Sequence, residues 1–221
     1  MSTFFAVAVG NVTGTFPTKH AATEAVGTHP LPLTASFPTE AAAEDFIKPF
    51  SGAAAVVYTD GACLGNGKAA RARAGVGVFW GEGDARNVSR EVHGAATNNV
   101  AELEAVGDAV DTIAADPTLR HRPVVIVTDS KYVIGALVSW FRGWESRDWK
   151  TSSGEPVKNL ALIQAIHAKV TPNIRFVHVR GHQDHLGNIK ADELAGACLK
   201  PVTEEAAAAA PSRQKKRRKV C

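Results

Sequence analysis

Two apolar segments that each end in an aspartate constrain the fold of this chain more than any other feature. AAVVYTD ends at Asp60, and VVIVTD ends at Asp129. Continuous apolar runs rich in β-branched residues are typical of strands that are buried on both faces, as in parallel sheets. A carboxylate at the end of such a strand loses hydration unless it is paired or binds a metal ion. For each aspartate alone, the alternative is a cap on the turn or helix that follows.

Strand and helix patterns alternate around these two segments. AGVGVFW and SREVHG predict two further strands, and IRFVHVR predicts the last one. Four segments predict helices: VAELEAVGDAVDTIA, SKYVIGALVSWF, KNLALIQAIHAKV and ADELAGACLK. Either Thr97 or Asn98 can cap the first of these helices. Three strands followed by alternating helices and strands predict an α/β domain over residues 54–200, with a mixed five-stranded sheet flanked by helices.

Two more carboxylates accompany the strand-end aspartates. Glu102 lies one turn into the first predicted helix, and Asp192 lies at the start of the last one. Taken alone, Glu102 is explained as an exposed residue near a helix N-terminus, and Asp192 as a helix cap. Together with Asp60 and Asp129 they are acids on two strands and two helices that a mixed sheet can direct toward one point. Hard divalent cations bind such groups of carboxylate oxygens.

The residues around the four acids resemble four motifs of the type 1 ribonuclease H family, in the family's order, over about residues 56–200. The segments that carry the resemblance are TDGACLGNG, TNNVAELEA, TDSKYV and GHQDHLGNIKADELA. The resemblance implies the ribonuclease H fold and an endonuclease that hydrolyses the RNA strand of RNA–DNA hybrids, leaving 5′-phosphate and 3′-hydroxyl ends. It also implies two Mg²⁺ ions, with Mn²⁺ as the alternative, held by Asp60, Glu102, Asp129 and Asp192.

The same resemblance implies roles for residues outside the carboxylate set. His182 would assist proton transfer or product release, and the alternative for it is an exposed loop histidine. Asn188 would help to position the attacking side of the site. The remaining substrate-binding positions implied are Cys63, Asn66, Thr97, Asn98, Asn99, Trp149 and Asn159. For the asparagines of the loop segments, turn formation is the alternative.

The surfaces expected to bind nucleic acid carry less positive charge than the family pattern. Residues 145–150, in the segment that resembles the family's basic protrusion, have zero net charge. Ala95 stands where many relatives have an arginine that grips a DNA phosphate. Each lost phosphate contact lowers affinity and salt dependence. We therefore expect weaker binding of the hybrid.

Residues 1–50 resemble the small hybrid-binding, viroplasmin-type domain of eukaryotic ribonucleases H. A hairpin and helices over residues 19–26 and 40–47 predict a small α+β domain. Lys19 occupies the position of an expected tryptophan, and Ala35 and Ser36 occupy those of expected cations. We expect that the fold persists and that hybrid binding is impaired; a contact with protein is the alternative.

The positive charge of the chain is concentrated in its last residues. The formal net charge is +3, and residues 211–221 contain six cations and no acid. Taking these six from the 25 basic residues leaves 19 against 22 acidic ones. Residues 201–221 are of low complexity and predict a disordered tail. Within it, Lys215–Val220 (KKRRKV) resembles a nuclear localisation signal and predicts an import receptor as partner and the nucleus, with the cytoplasm, as location. A solvated or nonspecific nucleic-acid-binding tail is the alternative.

The cysteine content and the hydropathy pattern argue against several other classes of protein. The three cysteines form no CxxC pair, so neither a disulfide framework nor a zinc site is predicted. No apolar run approaches the ~20 residues of a membrane span. We therefore expect no contact with a membrane. We also expect the chain to be a monomer. Two alternatives to a standalone enzyme stay open: a nucleic-acid-binding or scaffold protein with a silent site, and a retroelement-derived domain that works beside a reverse transcriptase.

Overall fold

The computed structural model describes residues 3–9, 13–27, 33–50, 54–65, 72–181 and 185–200. Two candidate site residues, Asn66 and His182, lie outside these ranges, as does the predicted tail with its localisation signal. The described residues form one three-stranded sheet and one five-stranded sheet.

The N-terminal unit, residues 3–50, is a three-stranded antiparallel sheet with two helices. Its elements are β1 (Phe4–Val9), β2 (Gly14–Phe16), α1 (Lys19–Val26), β3 (Leu33–Phe37) and α2 (Glu40–Ile47), followed by a 3₁₀ turn (Lys48–Phe50). The strand order is β2-β1-β3. The hairpin and both helices were predicted, and the Oγ1 atoms of Thr18 and Thr39 cap the helices. Strand β3 was not predicted; it pairs with β1 so that Phe37 lies opposite Phe4.

The five-stranded sheet confirms the predicted fold class. Its strands are β4 (Ala55–Leu64), β5 (Arg73–Phe79), β6 (Val88–Glu91), β7 (Val124–Thr128) and β8 (Ile174–His178). The strand order is β6-β5-β4-β7-β8. The first three strands are antiparallel neighbours, whereas β4, β7 and β8 run parallel to one another. The strands that carry the two aspartates are therefore adjacent at the centre of the sheet.

Five helices of the described ranges flank this sheet. They are α3 (Asn98–Ala115), α4 (Lys131–Ile134), α5 (Phe141–Glu145), α6 (Leu160–His167) and α7 (Leu186–Ala197). The segment predicted as one helix, SKYVIGALVSWF, is instead divided into α4, a π-helical turn (Gly135–Ser139) and the start of α5. The N–H of Trp140 donates to the carbonyl of Gly135 at 2.7 Å. Its indole ring occupies the space where a Cβ on Gly135 would lie, so a side chain at that position would displace the ring.

Two hydrophobic cores lie on opposite faces of the sheet. The first core contains Val124 and Ile126 of β7, with Leu103, Val106 and other apolar residues of α3. On the second face, α7 packs against β4, β5 and β6. A Cβ on Gly77 would lie 2.0 Å from the carbonyl oxygen of Ala191, so glycine allows α7 to approach the sheet. The second core also includes residues of the N-terminal unit. None of the described helices has the length and hydropathy needed to cross a membrane.

Candidate active site

Asp60 and Asp129 come from neighbouring parallel strands at the same level of the sheet. Thr59 of β4 lies opposite Thr128 of β7, so the next residue of each chain segment is an aspartate. Asp60 is only 6% exposed. Its Oδ1 accepts a hydrogen bond of 2.8 Å from the N–H of Gly61. The parallel register therefore brings together two carboxylates that are 69 positions apart in the sequence.

Glu102 reaches the same place from α3. The side chain of Thr97 caps this helix by accepting from the N–H of Val100 at 3.2 Å. A Cβ on Gly61 would lie 2.4 Å from the backbone nitrogen of Glu102, so α3 contacts the strand backbone directly. Glu102 is 5% exposed. Its Oε1 accepts from Asn98 at 3.4 Å, and its buried Oε2 has no hydrogen-bond partner among the described residues.

The three acids form a compact cluster that opens into a pocket. Asp60, Glu102 and Asp129 each offer a carboxylate oxygen, and these atoms lie within 4.8 Å of one another. The pocket above them has a volume of about 510 Å³, and Asp192 of α7 also lines it. Four predicted metal-binding acids thus share one pocket. One turn before Asp192 on α7, Asn188 donates from Nδ2 to Oδ2 of Asp129 at 3.2 Å.

Burial and mutual repulsion disfavour the charged forms of two of these acids. Burial raises the pKa of Asp60 from 3.8 to about 7; the charges of Asp129 and Asp192 add to this rise, and the hydrogen bond from Gly61 opposes it. Burial, followed by the charges of Asp60 and Asp129, raises the pKa of Glu102 from 4.5 to about 9. A bound cation would reverse this effect, because it attracts the charged forms. The all-oxygen donor set and the unpaired Oε2 of Glu102 fit a hard divalent ion.

Of the other predicted substrate-binding residues, three lie on β4 and α3, the elements that carry Asp60 and Glu102: Cys63, Asn98 and Asn99. Asn98 lines it, and Asn99 is exposed on the first turn of α3. The thiol of Cys63 points toward the carbonyl of Ala96 at 3.7 Å.

Asn159 and Trp149 belong to a separate part of the surface. Asn159 begins α6 with a positive φ of 58°, and its Nδ2 donates to the hydroxyl of Tyr132 at 3.0 Å. Trp149 is partly buried against the first core, and its ring meets that of Phe141 edge-on at 5.2 Å. Neither residue lines the acidic pocket in the described part of the chain. Trp140 and Trp144 form a further ring contact in this region, at 5.5 Å.

Four residues that line the pocket were missed as site residues: Gly61, Ala62, Ser130 and Gly181. Ser130 follows Asp129, and its Oγ accepts from the N–H of Val133 at the start of α4. Gly181 lies against the carboxylate of Asp129, since a Cβ at this position would be 2.4 Å from Oδ2. The sequence signal for Ser130 was its position directly after the strand-end aspartate Asp129. The signal for Gly181 was its position directly before His182. Only a folded structure shows that Gly181 faces Asp129.

The fold and the acid cluster place the chain among ribonuclease H-like proteins. A model of the RNase H family matches residues 52–200, and the chain therefore belongs to the RNase H family. The matched region begins after the N-terminal unit and contains all four predicted metal-binding acids.

Curated relatives and a solved structure support the family assignment and the assignment to type 1. Over 141 residues the chain is 39% identical to human "Ribonuclease H1", covering 63% of this chain and 48% of that protein. It is 43% identical over 142 residues to "Ribonuclease H" of Schizosaccharomyces pombe, covering 63% of this chain and 51% of that protein. The chain thus spans about half the length of these curated relatives. A solved structure of LC9-RNase H1, "a type 1 RNase H with the type 2 active-site motif", aligns with a TM-score of 0.51 and 36% identity, covering 64% of this chain and 70% of that one.

Proposed function

We propose that this chain is an endonuclease that hydrolyses the RNA strand of RNA–DNA hybrids with two divalent metal ions, leaving 5′-phosphate and 3′-hydroxyl ends. The observation that carries the proposal is the set of three carboxylates within 4.8 Å, with Asp192 on the same pocket. The relatives named ribonuclease H1 support the choice of substrate. The raised pKa values of Asp60 and Glu102 support a bound cation, because burial and then mutual repulsion disfavour the charged acids without one.

The four acids would hold the ions, Mg²⁺ with Mn²⁺ as the alternative. When bound, such ions supply an activated water and stabilise negative charge on the leaving oxygen. The chain orients the acids through its own contacts: the N–H of Gly61 holds Asp60, and the amide of Asn188 holds Asp129. His182, outside the described residues, would transfer a proton or assist product release from the loop before α7.

The hybrid would lie across the pocket and its two flanking surfaces. Cys63, Asn66, Asn98 and Asn99 would contact the RNA strand near the scissile phosphate, where 2′-hydroxyl groups distinguish RNA from DNA. Thr97 and Asn159 would bind a DNA phosphate, and Trp149 would contact the DNA backbone. The position of Asn98 on the pocket and the exposed side of Asn99 are consistent with this arrangement.

A labelled RNA–DNA hybrid incubated with the full chain and Mg²⁺ tests the proposal. We expect cleavage of the RNA strand by the unaltered chain and loss of cleavage in Asp129→Asn. Asp111→Asn is the matched control, because Asp111 is an exposed acid on α3 that pairs with Lys169 at the surface. Single-stranded RNA and duplex DNA should stay intact. Equal inactivity of the unaltered chain and Asp129→Asn would reject the enzyme and favour a nucleic-acid-binding protein with a silent site.

We also propose that the chain is divided into a small domain over residues 1–50, a catalytic domain over 54–200 and a tail over 201–221 that directs nuclear import through Lys215–Val220. The support is the basic sequence itself and the absence of acids around it. Fusion to a reporter too large to diffuse into the nucleus tests the tail. Deletion of residues 211–221 should move the fusion to the cytoplasm, and an unchanged distribution would reject the import signal.

A further inference from the structure

The second face of the five-stranded sheet is covered by elements from two parts of the chain. Helix α7 packs against β4, β5 and β6. Residues 174–180, which comprise β8 and the two residues after it, are called the β8 segment. Four valines of β7 and the β8 segment lie on the same face and are at most 8% exposed: Val125, Val127, Val177 and Val179. They share one hydrophobic cluster with Ala8, Leu33 and Phe50 of the N-terminal unit.

We propose that the part of this face formed by β7 and β8 is a docking surface for the N-terminal unit of the same chain, and that the docked unit positions the end of β8 beside Asp129. The effect on catalysis rests on the proposed function. In this arrangement the N-terminal unit supports the active site through protein contacts and makes no contribution to hybrid affinity.

The composition of the shared cluster favours stable docking. Val125, Val127 and Leu33 have no exposed surface, and Phe50 is 8% exposed. Partly buried Phe46 and Ile47 of α2 pack against the same cluster. An apolar face of this kind is covered in soluble proteins because its exposure promotes association with other molecules. Residues of the N-terminal unit share this cluster with the β7 and β8 valines, together with Tyr58, Phe79 and residues of α7.

Chain connectivity also favours docking. Only residues 51–53 separate Phe50 from Ala54, where the described part of the catalytic region begins. A short connection gives the two units a high effective concentration for each other. The rings of Phe37, Phe46 and Phe50 follow one another at 5.3 and 5.9 Å, so Phe50 is held by the body of the N-terminal unit.

The segment that meets the N-terminal unit also contacts Asp129. The N–H of Val179 donates to the carbonyl of Thr128 at 3.0 Å. The Nε2 of His178 lies 3.1 Å from the carbonyl oxygen of Asp129. Gly181 lies against the carboxylate of the same aspartate. A displacement of the end of β8 therefore changes the surroundings of a proposed metal ligand, and docking of the N-terminal unit opposes such a displacement.

The surface that resembles a hybrid-binding face is turned toward the catalytic region. Lys19, Ala35 and Ser36 line a cleft of about 740 Å³. The same cleft is also lined by His178, Val179, Arg180 and His185. The three residues that depart from the family pattern therefore share a cleft with the β8 segment, which supports a role beside the catalytic region in place of a contact with nucleic acid.

A cut between the units tests docking without any measurement of activity. A protease recognition sequence placed in residues 51–53 of the full chain is cleaved after folding, and the products are separated by size-exclusion chromatography. We expect both pieces to elute together at the volume of the uncut chain. Separate elution under native conditions would overturn the docking surface. The result is informative even if the chain does not cleave hybrids.

Substitution of Phe50 in the full chain tests the effect on the active site. We expect Phe50→Ala to lower kcat by roughly two- to thirtyfold with unchanged KM, the range found where mutations modulate coupling between sites. Phe50→Leu should restore most of kcat, because it refills most of the same space. Hydrogen exchange at residues 176–180 should be faster in Phe50→Ala, and this readout is independent of activity. Phe16→Ala is the control within the unit, since Phe16 packs in a separate cluster under α1.

Lys19→Glu distinguishes protein support from nucleic-acid binding in the cleft. We expect hybrid Kd and KM to stay unchanged in this variant. A large increase in hybrid Kd for Lys19→Glu would overturn the proposal, as would unchanged kcat and hydrogen exchange in Phe50→Ala. Absence of hybrid cleavage by the unaltered chain would reject the proposed function, whereas the elution and exchange measurements would still decide the docking surface.

Discussion

The side-chain amide of Asn188 donates a 3.2 Å hydrogen bond to Oδ2 of Asp129 and so joins α7 to the end of β7. Asn188 is 3% exposed, and its own Oδ1 has no hydrogen-bond partner among the described residues. Asp192 lies four residues later on the same helix and lines the acidic pocket. One helix therefore supplies both a fourth acid and the donor that orients Asp129.

Removal of this donor should weaken metal binding and activity while the fold persists. We expect Asn188→Ala to lower activity or metal affinity by about 10- to 100-fold, the effect typical of residues that orient metal ligands. Measurements of kcat/KM on the hybrid at increasing Mg²⁺ concentrations check this. Ile189→Ala is the control, because Ile189 is the next residue of α7 and is 38% exposed. Full activity of Asn188→Ala at low Mg²⁺ would contradict the orienting role.

The contact between Gly61 and α3 gives a second prediction. A Cβ on Gly61 would lie 2.4 Å from the nitrogen of Glu102 and 2.7 Å from the carbonyl carbon of Ala101. Both atoms belong to the backbone, so Gly61→Ala must push α3 away from β4. We expect a loss of about 1–3 kcal/mol in the free energy of unfolding, as in overpacked cores, and a loss of activity because Asp60 and Glu102 separate.

Gly196→Ala is the matched control for that substitution. Gly196 lies within α7, and a Cβ there would have no neighbouring atom within 4 Å. Because alanine favours a helix more than glycine by about 1 kcal/mol, we expect equal or greater stability and unchanged activity. Urea unfolding of both variants checks the comparison. A Gly61→Ala protein as stable and active as the unaltered chain would show that β4 and α3 do not need this close contact.

The fold could be predicted from the sequence where the pattern of a segment determines whether that segment is buried. The runs before Asp60 and Asp129 are apolar at consecutive positions, and both form central parallel strands. The fold could not be predicted where a partner that is distant in the sequence determines the local structure. Strand β3 has the mixed sequence LTASF and exists through its pairing with β1. In the π-helical turn, the ring of Trp140 packs against Gly135, five residues earlier in the chain.

The same distinction applies to the candidate site. The acids were found because each lies in a recognisable motif, and the structure brings them to one pocket. Nothing in the sequence indicates which atoms lie opposite Gly61 or Gly181, because such contacts arise only when strands and helices are packed. Likewise, the shared cluster of the N-terminal unit and the β8 segment joins residues that are more than 100 positions apart.

The raised pKa values of Asp60 and Glu102 predict how stability depends on pH without metal. Each acid binds a proton more tightly in the folded protein, so its contribution to stability is complete below its ordinary value, 3.8 or 4.5, and is lost as pH rises through about 7 for Asp60 and about 9 for Glu102. We expect the free energy of unfolding in EDTA to fall from pH 5 to pH 9. Mg²⁺ should offset this fall, since a bound cation favours the charged acids.

The variant Asp60→Asn tests how much of this pH dependence comes from the cluster of buried acids. The variant keeps the shape of the side chain and removes one charge, so its metal-free stability should exceed that of the unaltered chain at pH 8 although its activity is lost. Asp111→Asn, at the surface, should leave the pH dependence unchanged. Urea unfolding at several pH values, with and without Mg²⁺, checks both. A metal-free stability that is independent of pH in the unaltered chain would contradict the raised pKa values of the two buried acids.

The region near the N-terminus of α3 carries less positive charge than the family pattern, and this difference leads to the last prediction. Ala95 is exposed two residues before Thr97, which caps the helix. We expect Ala95→Arg to add one phosphate contact, which should lower KM for the hybrid at unchanged kcat and steepen the dependence of log affinity on log salt concentration by about 1. Ala115→Arg adds the same charge at the exposed opposite end of α3 and should change neither quantity. If both variants tighten binding equally, the gain comes from net charge, and the region beside Thr97 is not a specific phosphate site.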